Sequence, residues 1–551
     1  MQLSGAQLII EALKVEGVNR IFGVSSSPTL SIMDVLYHEP QIRYIQTNHE
    51  QNAMYMANGY ARATRTPGVC LVGPGPATTH CVSAVAQAYY TCAPCVLIGV
   101  EYPTRTHGLG SAIHHDLDAV PIFKPVTKLS LRVHRVDRIV ESLQMAFRTA
   151  LSGRNGPVYI GIARDTLTNM VDVEVPAPQK YRVAYTHPAD PAAVARAVEL
   201  LAAAERPAAL IGGGAAGALD VLLELAGRLA MPMAATRHNK GIIPEDHPLA
   251  LGTLGNLSTK AMQEADVLLA VGCTFDQFTT KGFGHKVMPQ NAGIIQVNID
   301  PTEIGKIYPV DVGLLGDAFS VLTGLLEGIR GKKVDRRPVE QNRRIQELLR
   351  EKRQRQESFL PLQTSSQVPI HRMRLLHDLR KALPRDAIVA GESGSTHGWF
   401  LYGFESLAHN CAVGGWHSLG AEFVESMGVK VAFPDRIVTC VTGDGSMMAT
   451  LHELVTAVAQ DIRLLCVVCH NDIFGNMRHT QIKQFGGRFI STDLLIPNLS
   501  KVAREFGAYG ERVSSPDEII PAVGRAIDSG KPALLEIMID ASPENLVAPG
   551  H

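Results

Sequence analysis

The chain has 551 residues, a hydrophobic content of 46% and a formal net charge of -1 at pH 7. This length suffices for about three domains of ordinary size, and the near-zero charge gives no electrostatic reason to expect nucleic acid or an anionic membrane as a partner. No apolar run approaches the roughly 20 residues that span a bilayer. We expect no secretion signal at the amino terminus, and nine cysteines in so long a chain do not suggest a disulfide scaffold. The composition therefore predicts a globular protein of the cytoplasm.

The first part of the chain alternates helical and strand patterns. Amphipathic periodicity predicts helices at 5–16 and 51–63. Apolar, β-branched runs predict strands at 20–24, 42–46, 68–72 and 95–100. This alternation is typical of a doubly wound parallel sheet, and we assign it to a first α/β domain over residues 1–175.

Residues 188–330 form a second predicted domain. A strand at 208–211 leads into 212–217, whose glycines satisfy the Gly-x-Gly-x-x-Gly spacing of a Rossmann-like dinucleotide site. The motif is common, however, and no clear acidic partner lies about 20 residues further on. A charged stretch at 331–367 then predicts a solvated helix and linker, and a third domain follows at 368–551.

The third domain carries the most specific motif of the chain. An apolar strand predicted at 437–441 runs into the turn Gly-Asp-Gly at 443–445, and a second strand predicted at 464–469 delivers Asn471. Strand, turn, helix and strand make one βαβ unit. Asp444 and Asn471 should therefore lie side by side at one edge of a parallel sheet.

This edge offers oxygen ligands. Asp444 supplies an anionic oxygen, Asn471 a neutral carbonyl oxygen and the backbone of Ile473 a third. Mg²⁺ prefers about six oxygens in octahedral geometry and takes phosphate oxygens to complete them. Gly445 and Ser446, where Ser446 is predicted to cap the next helix, would present backbone N–H groups to a diphosphate. The sequence therefore predicts a metal-bridged diphosphate site.

At these positions the chain resembles the thiamine diphosphate (ThDP) enzymes of the acetolactate synthase and pyruvate decarboxylase type. Their cofactor signature is a Gly-Asp-Gly turn followed, after a helix and a strand, by a metal-binding Asn, as at Asp444 and Asn471. Residues 49–62 match a second family segment, His-Glu-x-x-Ala-x-x-x-Ala-x-Gly-Tyr-Ala-Arg. The resemblance covers nearly the whole chain. It implies three doubly wound parallel-sheet domains, of which two ThDP-binding domains flank a Rossmann-like central domain.

The resemblance also implies the cofactor contacts. Glu50 falls where the family's Glu hydrogen-bonds the aminopyrimidine ring of ThDP, and Leu419 falls where a bulky apolar residue lies beneath the cofactor. The metal ligands would be Asp444, Asn471 and the backbone of Ile473. The full set of predicted cofactor-binding residues is Glu50, Gly394, Ser395, Thr396, Leu419, Gly443, Asp444, Gly445, Ser446, Asn471, Ile473, Phe474, Gly475 and Asn476.

Four further residues are predicted, with Glu50, to be catalytic. Ser27 lies in a loop that faces the substrate in the family, although a hydroxyl-rich turn that caps the next helix explains it equally well. His80 replaces the last Asn of the family's Gly-Pro-Gly-Ala-Thr-Asn loop. His114 and His115 stand where pyruvate decarboxylases use a His pair as proton donors, and an ordinary loop pair is the alternative.

The activity implied is ThDP- and Mg²⁺-dependent cleavage or formation of a C–C bond on a 2-oxo acid or similar acyl donor, by a decarboxylase or carboligase close to acetolactate synthase. Two alternatives stay open: a 2-hydroxyacyl-CoA lyase or oxalyl-CoA decarboxylase, and a non-catalytic cofactor-binding protein. Whether FAD or ADP occupies the central domain also stays open. The resemblance implies a homodimer or homotetramer, with Glu50 of one subunit facing Asp444 and Asn471 of another.

Overall fold

The computed structural model describes residues 2–183, 186–332, 334, 338–407 and 415–548. The chain divides into two compact units, of which the first comprises Met1–Ala184, Val389–His397 and Val413–Val547, and the second Tyr185–Ile388, Gly398–Ala412 and Ala548–His551. The first unit therefore contains the first predicted domain and most of the last, whereas the helix Arg372–Ala382, predicted to belong to the last domain, lies in the second unit. The limits of the three domains stay predictions. Within the described ranges, no helix has the length and apolar content needed to cross a membrane.

The amino-terminal part of the first unit is built on a six-stranded parallel sheet. Its three strands Gly68–Val72, Cys95–Glu101 and Val158–Ala163 are buried along their whole length, as expected where helices cover both faces. The strand order is Arg43–Gln46, Arg20–Gly23, Gly68–Val72, Cys95–Glu101, Val158–Ala163, Leu129–Val133. The helices are Gly5–Val15, Leu30–Tyr37, Glu50–Thr64, Pro76–His80, Val82–Tyr90, Ala119–Phe123 and Ile139–Leu151, and Gln2–Ser4 pairs antiparallel with Met170–Asp172.

The carboxyl-terminal part of the same unit has a five-stranded sheet. Its order is Ile388–Gly391, Val438–Gly443, Leu465–His470, Ala533–Met538, Tyr509–Val513. Without its edge strand Arg43–Gln46, the amino-terminal sheet has the same strand order. In both sheets the first three strands along the chain lie in sequence across the sheet, and the fifth strand then comes before the fourth. The helices are Ala421–Ala432, Asp444–Thr450, Glu453–Ala459, Gly475–Phe485, Leu499–Glu505 and Ile519–Asp528, together with the start of Ser395–Gly403, whose residues from Gly398 on belong to the second unit. This likeness confirms the expectation of two similar parallel-sheet folds.

The second unit contains a six-stranded parallel sheet. Its order is Ala250–Thr253, Met233–Ala235, Pro207–Ile211, Val267–Val271, Gly293–Asn298, Val312–Leu315, which is the Rossmann order 3-2-1-4-5-6. The helices are Pro191–Ala203, Leu219–Leu229, Asn256–Gln263, Ala318–Arg330, Arg343–Gln363 and Arg372–Ala382. The helix Arg343–Gln363 occupies most of the predicted charged linker. The three sheets confirm the predicted α/β class.

The glycine-rich turn of this second unit packs tightly against a neighbouring loop. Gly214 N–H donates to the Gly272 carbonyl at 3.1 Å, and a Cβ on Gly214 would lie 2.9 Å from Gly272 Cα. Gly272 has φ +58°, a left-handed conformation that favours glycine. The contact between the two loops therefore accounts for these glycines without a bound nucleotide.

Two helices of the first unit cross at glycines. A Cβ on Gly59 of Glu50–Thr64 would collide with the Glu425 backbone, and one on Gly428 of Ala421–Ala432 would collide with the Met56 backbone. Only glycine permits so close an approach. The crossing fixes the helix that begins at Glu50 against the carboxyl-terminal part of the unit.

The predicted helix cap at Ser446 is wrong. The helix begins at Asp444 directly after the strand, so that Gly443 is the N-cap and Ser446 lies inside the first turn. The expected single helix is also two, Asp444–Thr450 and Glu453–Ala459.

Candidate active site

Glu50 begins the helix Glu50–Thr64, and the preceding residue caps that helix. His49 Nδ1 accepts a hydrogen bond from Gln51 N–H at 3.2 Å. The Glu50 carboxylate turns toward the next loop along the sheet, where its Oε2 lies 2.9 Å from His80 Nδ1. The carboxylate is largely buried, with 16% of the side chain exposed, whereas 46% of the His80 side chain is exposed.

The imidazoles of His49 and His80 stack beside this carboxylate. Their ring centroids are 4.4 Å apart and the planes are tilted by 31°. Burial, and the nearby His80 ring after it, lower the pKa of His49. The lowered pKa favours the neutral form of His49.

The segment 73–80 gathers the other predicted substrate-side residues. A Cβ on Gly73 would lie 2.5 Å from Ser26 Oγ, and one on Gly75 would lie 2.7 Å from His115 Cβ. Ser26 Oγ is buried without a hydrogen-bond partner among the described residues, whereas the predicted residue Ser27 is exposed. The structure thus brings a serine of this turn to the segment, but it is the neighbour of the predicted one.

His114 and His115 are exposed and their rings stack on each other, with centroids 3.6 Å apart. Asp116 holds their loop, because its Oδ2 accepts the backbone N–H groups of Gly108 and Gly110, both at 2.9 Å. His115 has φ +66°. The loop is therefore shaped by a specific carboxylate, and a catalytic role of the pair stays a prediction.

Asp444 and Asn471 lie side by side, as predicted. Asp444 Oδ2 accepts the backbone N–H groups of Asn471 at 2.8 Å and Asp472 at 2.7 Å, and Oδ1 accepts that of Gly445 at 2.8 Å. A carboxylate offers about four acceptor positions, so one remains for a cation. The Gly445 N–H, predicted to face a diphosphate, is engaged by Asp444 instead.

The turns around Asp444 converge on one place. A Cβ on Gly475 would lie 2.8 Å from Ser395 Oγ, and one on Gly443 would lie 3.7 Å from Thr396 Oγ1. Within the described part of the chain, Asn471 Nδ2 and Asn476 Oδ1 are buried atoms that have no hydrogen-bond partner. Buried polar atoms are nearly always paired in folded proteins. Amides left without partners beside a carboxylate indicate a place for a polar ligand.

Comparison with known proteins identifies the ligand class. Residues 3–122 match the family model "Thiamine pyrophosphate enzyme, N-terminal TPP binding domain", residues 194–325 match the central domain of that enzyme family, and residues 392–537 match its C-terminal TPP binding domain. The chain belongs to the thiamine pyrophosphate (ThDP) enzyme family.

Full-length relatives agree. The chain is 34% identical over its whole length to a probable acetolactate synthase large subunit of Methanocaldococcus jannaschii, of which it covers 94%. It is 31% identical, over 98% of its length and 95% of the relative, to the acetolactate synthase isozyme 3 large subunit of Escherichia coli. It is 30% identical, over 98% of its length and 93% of the relative, to the sulfoacetaldehyde acetyltransferase of Castellaniella defragrans. The chain is thus an acetolactate synthase-like ThDP enzyme of the lyase or transferase type.

The donor set at Asp444 fits a hydrated divalent cation and a diphosphate. It consists of a carboxylate with one acceptor position left, the Asn471 amide and the Ser395 and Thr396 hydroxyl groups, all hard oxygen or amide groups of the kind that Mg²⁺ and phosphate take. Leu419, predicted to lie beneath the cofactor, is 45% exposed. An exposed apolar side chain at this position is available to pack against a ring of the cofactor.

An ion-pair chain that the sequence analysis missed holds the strand Leu465–His470, which leads to Asn471. His470 Nδ1 lies 2.7 Å from Glu536 Oε1, and His470 Nε2 lies 3.0 Å from Asp472 Oδ1. Burial works to raise the pKa of Glu536, but hydrogen bonds from His470 and Arg512 and from backbone N–H groups outweigh it and lower the pKa to about 2. Both ring nitrogens of His470 are engaged, so His470 orients the loop that begins at Asn471 and has no ring nitrogen left to bind a ligand.

A second missed residue, Glu453, joins the two ThDP-binding folds. Its buried carboxylate accepts the backbone N–H of Asn48 at 3.2 Å and the side-chain amide of Asn52 at 3.0 Å. Thr456 Oγ1 donates to the same carboxylate at 2.5 Å. Glu453 therefore anchors the turn that carries Glu50 to the helix that follows the Asp444 helix.

A third missed group is a set of fully buried carboxyls near the predicted ThDP-side turns. Glu392, directly after the strand Ile388–Gly391, faces Glu422 of the helix Ala421–Ala432. Burial, and then the charge of Glu392, raise the pKa of Glu422 well above its ordinary value. Glu425, one turn further along, accepts from Asn58 at 2.6 Å and pairs with Arg62 at 3.3 Å.

Proposed function

We propose that this chain is a ThDP- and Mg²⁺-dependent enzyme that cleaves or forms a C–C bond on a 2-oxo acid, as an acetolactate synthase-like decarboxylase or carboligase. The observation that carries the proposal is the pairing of Asp444 with the Asn471 loop, where a buried amide is left without a partner. The names of the two acetolactate synthase relatives support the substrate class.

Bound ThDP supplies a nucleophilic carbon that adds to the substrate carbonyl and an electron sink for the electrons released by C–C cleavage. Asp444, Asn471 and the backbone carbonyl of Ile473 would hold Mg²⁺ and, through it, the diphosphate. Glu50 would share a proton with the aminopyrimidine ring. Its largely buried carboxylate suits this task, because a dry site strengthens each hydrogen bond that the carboxylate makes.

The assembly belongs to the proposal. Glu50 and Asp444 stand in different sheets of the first unit, and the proposed active site joins Glu50 of one subunit to Asp444 of another, in a homodimer or homotetramer. His114 and His115 would face the substrate as proton donors, with Ser27 or its neighbour Ser26 beside them. FAD or ADP is not part of the proposal, because the glycine turn at 212–214 is engaged with Gly272.

The test is calorimetric titration of ThDP into metal-stripped protein with and without Mg²⁺, beside the variant Asp444→Ala. We expect tight binding to the native protein only when Mg²⁺ is present, and loss of that binding in Asp444→Ala. The matched control is Asp493→Ala, an exposed aspartate paired with Arg478, which should bind like the native protein. A screen of 2-oxo acids for CO₂ release on the same sample then identifies the substrate.

If the native protein binds no ThDP under either condition, the proposal is wrong and the chain keeps only the fold of its family. Binding without CO₂ release from any 2-oxo acid would instead favour a second candidate, acyl transfer from an aldehyde. Two relatives at 30% identity are named sulfoacetaldehyde acetyltransferases. Sulfoacetaldehyde therefore belongs in the screen, with its consumption as the quantity to be measured.

A further inference from the structure

The pairing of Glu50 with His80 carries an inference that goes beyond the substrate side, where His80 was expected to act. We propose that His80 is the positioning residue of Glu50: its Nδ1–H holds Oε2 of the carboxylate, so that the other oxygen stays free for the aminopyrimidine ring. This rests on the proposed ThDP function, because a ring must be present for the second oxygen to serve.

The geometry defines the proton arrangement. A carboxylate oxygen is only an acceptor, so the 2.9 Å contact requires a proton on His80 Nδ1. The hydrogen bond that one ring nitrogen makes sets which nitrogen carries the proton in neutral histidine. Glu50 therefore fixes the His80 tautomer, and His80 fixes the carboxylate rotamer. The bond is charge-assisted, which makes it stronger than a neutral one.

His49 supports the pair without competing for it. Its Nδ1 accepts the Gln51 N–H, so this nitrogen carries no proton and has no hydrogen to offer to Glu50. Its ring lies against His80 at 4.4 Å and limits how far the His80 ring can turn. Of the two stacked imidazoles, His80 is therefore the one that donates to the Glu50 carboxylate, and the His49 ring packs against it.

A metal site at the same residues fits the geometry less well. His49, Glu50 and His80 each bring one ligand atom to within 4.8 Å of the others. The two rings lie against each other, however, with their planes only 31° apart, and His80 Nδ1 already faces Glu50. His49 Nδ1 is also occupied by the helix cap. The cluster is therefore a carboxylate–imidazole pair backed by a second ring.

The first experiment compares His80→Asn with His80→Phe. Asn places an amide N–H close to the position of Nδ1, and Phe keeps a ring against His49 but has no donor. The readout is the rate at which the C2 proton of bound ThDP exchanges with deuterium. We expect His80→Asn to exchange at close to the native rate and His80→Phe about tenfold or more slowly, with ThDP affinity unchanged in both.

Thr79→Val, at a neighbouring half-buried position on the same short helix, is the matched control and should exchange like the native protein. A His80→Phe variant that exchanges at the native rate overturns the proposal. Equal slowing of His80→Phe and His80→Asn also overturns it, because the donor would then not be what matters.

The second experiment needs no cofactor. In ¹⁵N NMR spectra of the metal-free, ThDP-free protein, the His80 signal, identified by its loss in His80→Asn, should show a proton on Nδ1. Glu50→Met, which keeps the length of the side chain but has no oxygen acceptor, should shift that proton toward Nε2. An unchanged tautomer in Glu50→Met contradicts the pairing. If the native protein binds no ThDP, the proposed function fails while this measurement still decides whether His80 and Glu50 form a pair.

Discussion

Glu50 combines burial, a hydrogen-bonded partner and a helix start in one position. The carboxylate is held by His80 on one oxygen, and the backbone of the helix fixes its Cα at the edge of the sheet. A group held in this way loses little entropy when it engages a ligand, so its contribution to proton transfer should be large. Glu50 is therefore the first residue at which to measure the effect of a substitution on ThDP binding separately from its effect on turnover.

We expect Glu50→Gln to lower turnover of the preferred 2-oxo acid by about 10²-fold or more, because an amide cannot share an acidic proton with the aminopyrimidine ring. ThDP affinity should change little, since Gln keeps a hydrogen-bonding oxygen. Steady-state CO₂ release and calorimetry measure the two quantities. Glu11→Gln, a partly exposed position on the first helix, is the control for charge loss alone. Unchanged turnover in Glu50→Gln would exclude the assigned role.

The sequence led to Asp444 and Asn471 because a turn follows a strand at both places, and to Glu50 because its segment resembles that of the ThDP enzymes. It did not lead to His80 as a partner of Glu50 or to Glu453 as an anchor of Asn52. These contacts join positions 30 and 401 residues apart, and no periodicity in the sequence relates them. Glu422 was missed because an ionisable residue in an amphipathic helix is ordinarily on the surface.

Among the helices, Glu453–Ala459 connects the part of the first unit that carries Asp444 to the part that carries Glu50. Its first residue receives hydrogen bonds from the backbone of Asn48 and the side chain of Asn52. Both donors belong to the turn and the first turn of the helix that begins at Glu50. A substitution that displaces the Glu453 carboxylate therefore moves the turn that carries Glu50, although Glu453 itself is not among the predicted cofactor contacts.

We expect Glu453→Gln to lower the free energy of unfolding by about 1–3 kcal/mol, because an amide NH₂ would face donors that need an acceptor. Turnover should fall together with the C2 exchange rate, while Mg²⁺-dependent ThDP binding persists. Urea unfolding and calorimetry measure these effects. Glu505→Gln, exposed at the end of the helix Leu499–Glu505, should match the native protein. A Glu453→Gln variant as stable as that control would show that the anchor is dispensable.

The buried carboxyls where the strand Ile388–Gly391 meets the helix Ala421–Ala432 predict a dependence of stability on pH. Glu422 has a raised pKa in the folded chain, so between its unfolded and folded pKa the unfolded chain binds fewer protons than the folded one, and stability falls as pH rises. Glu392 also has a raised pKa, and Glu425 and the thiol of Cys440 are the other ionisable groups beside the pair. The folded chain therefore favours one shared proton between Glu392 and Glu422.

We expect Glu422→Gln to be close to the native protein in stability near pH 4 and increasingly more stable than it as pH rises. The difference in the free energy of unfolding grows by up to about 1.4 kcal/mol for each pH unit, until the pH passes the pKa of Glu422 in the folded chain. Urea unfolding between pH 5 and pH 8 measures the difference. Glu425→Gln is the matched control, since it leaves Arg62 without its carboxylate and should be less stable at every pH in this range. Parallel curves for Glu422→Gln and the native protein would contradict a shared proton.

At the scale of the whole chain, the fold class and the order of the elements followed from the sequence, because strands such as Gly68–Val72 are uninterrupted apolar runs between glycine and proline turns. The helix start at Asp444 did not follow, since Ser446 is the better cap by residue type. The strand passes directly into the helix through Gly443. Tertiary packing, rather than the capping preference of Ser446, therefore sets where the helix begins. The repeated sheet order of the first unit is likewise visible only in the structure.

Several elements that carry the candidate site expose large apolar side chains. Met448 on the Asp444 helix is 41% exposed, Val455 on the next helix is 36% exposed, and Tyr89, at the end of the helix that follows His80, is 47% exposed. Apolar surface beside the candidate site is stabilised when it is covered, and in the subunit arrangement that we propose a second copy of the chain would cover it. The proposed subunit arrangement requires that dimer.

We therefore expect the native protein to have at least twice the mass of one chain in light scattering. Met448→Asp should shift the species toward the single-chain mass on dilution, because burying a charge in an apolar interface is costly. It should lose ThDP binding in step with that shift, since neither chain alone would contain the complete site. Tyr37→Asp, an equally drastic change at a residue 85% exposed on the helix Leu30–Tyr37, should keep both the mass and the binding. A native protein that binds ThDP tightly at the mass of one chain would exclude an active site shared between subunits.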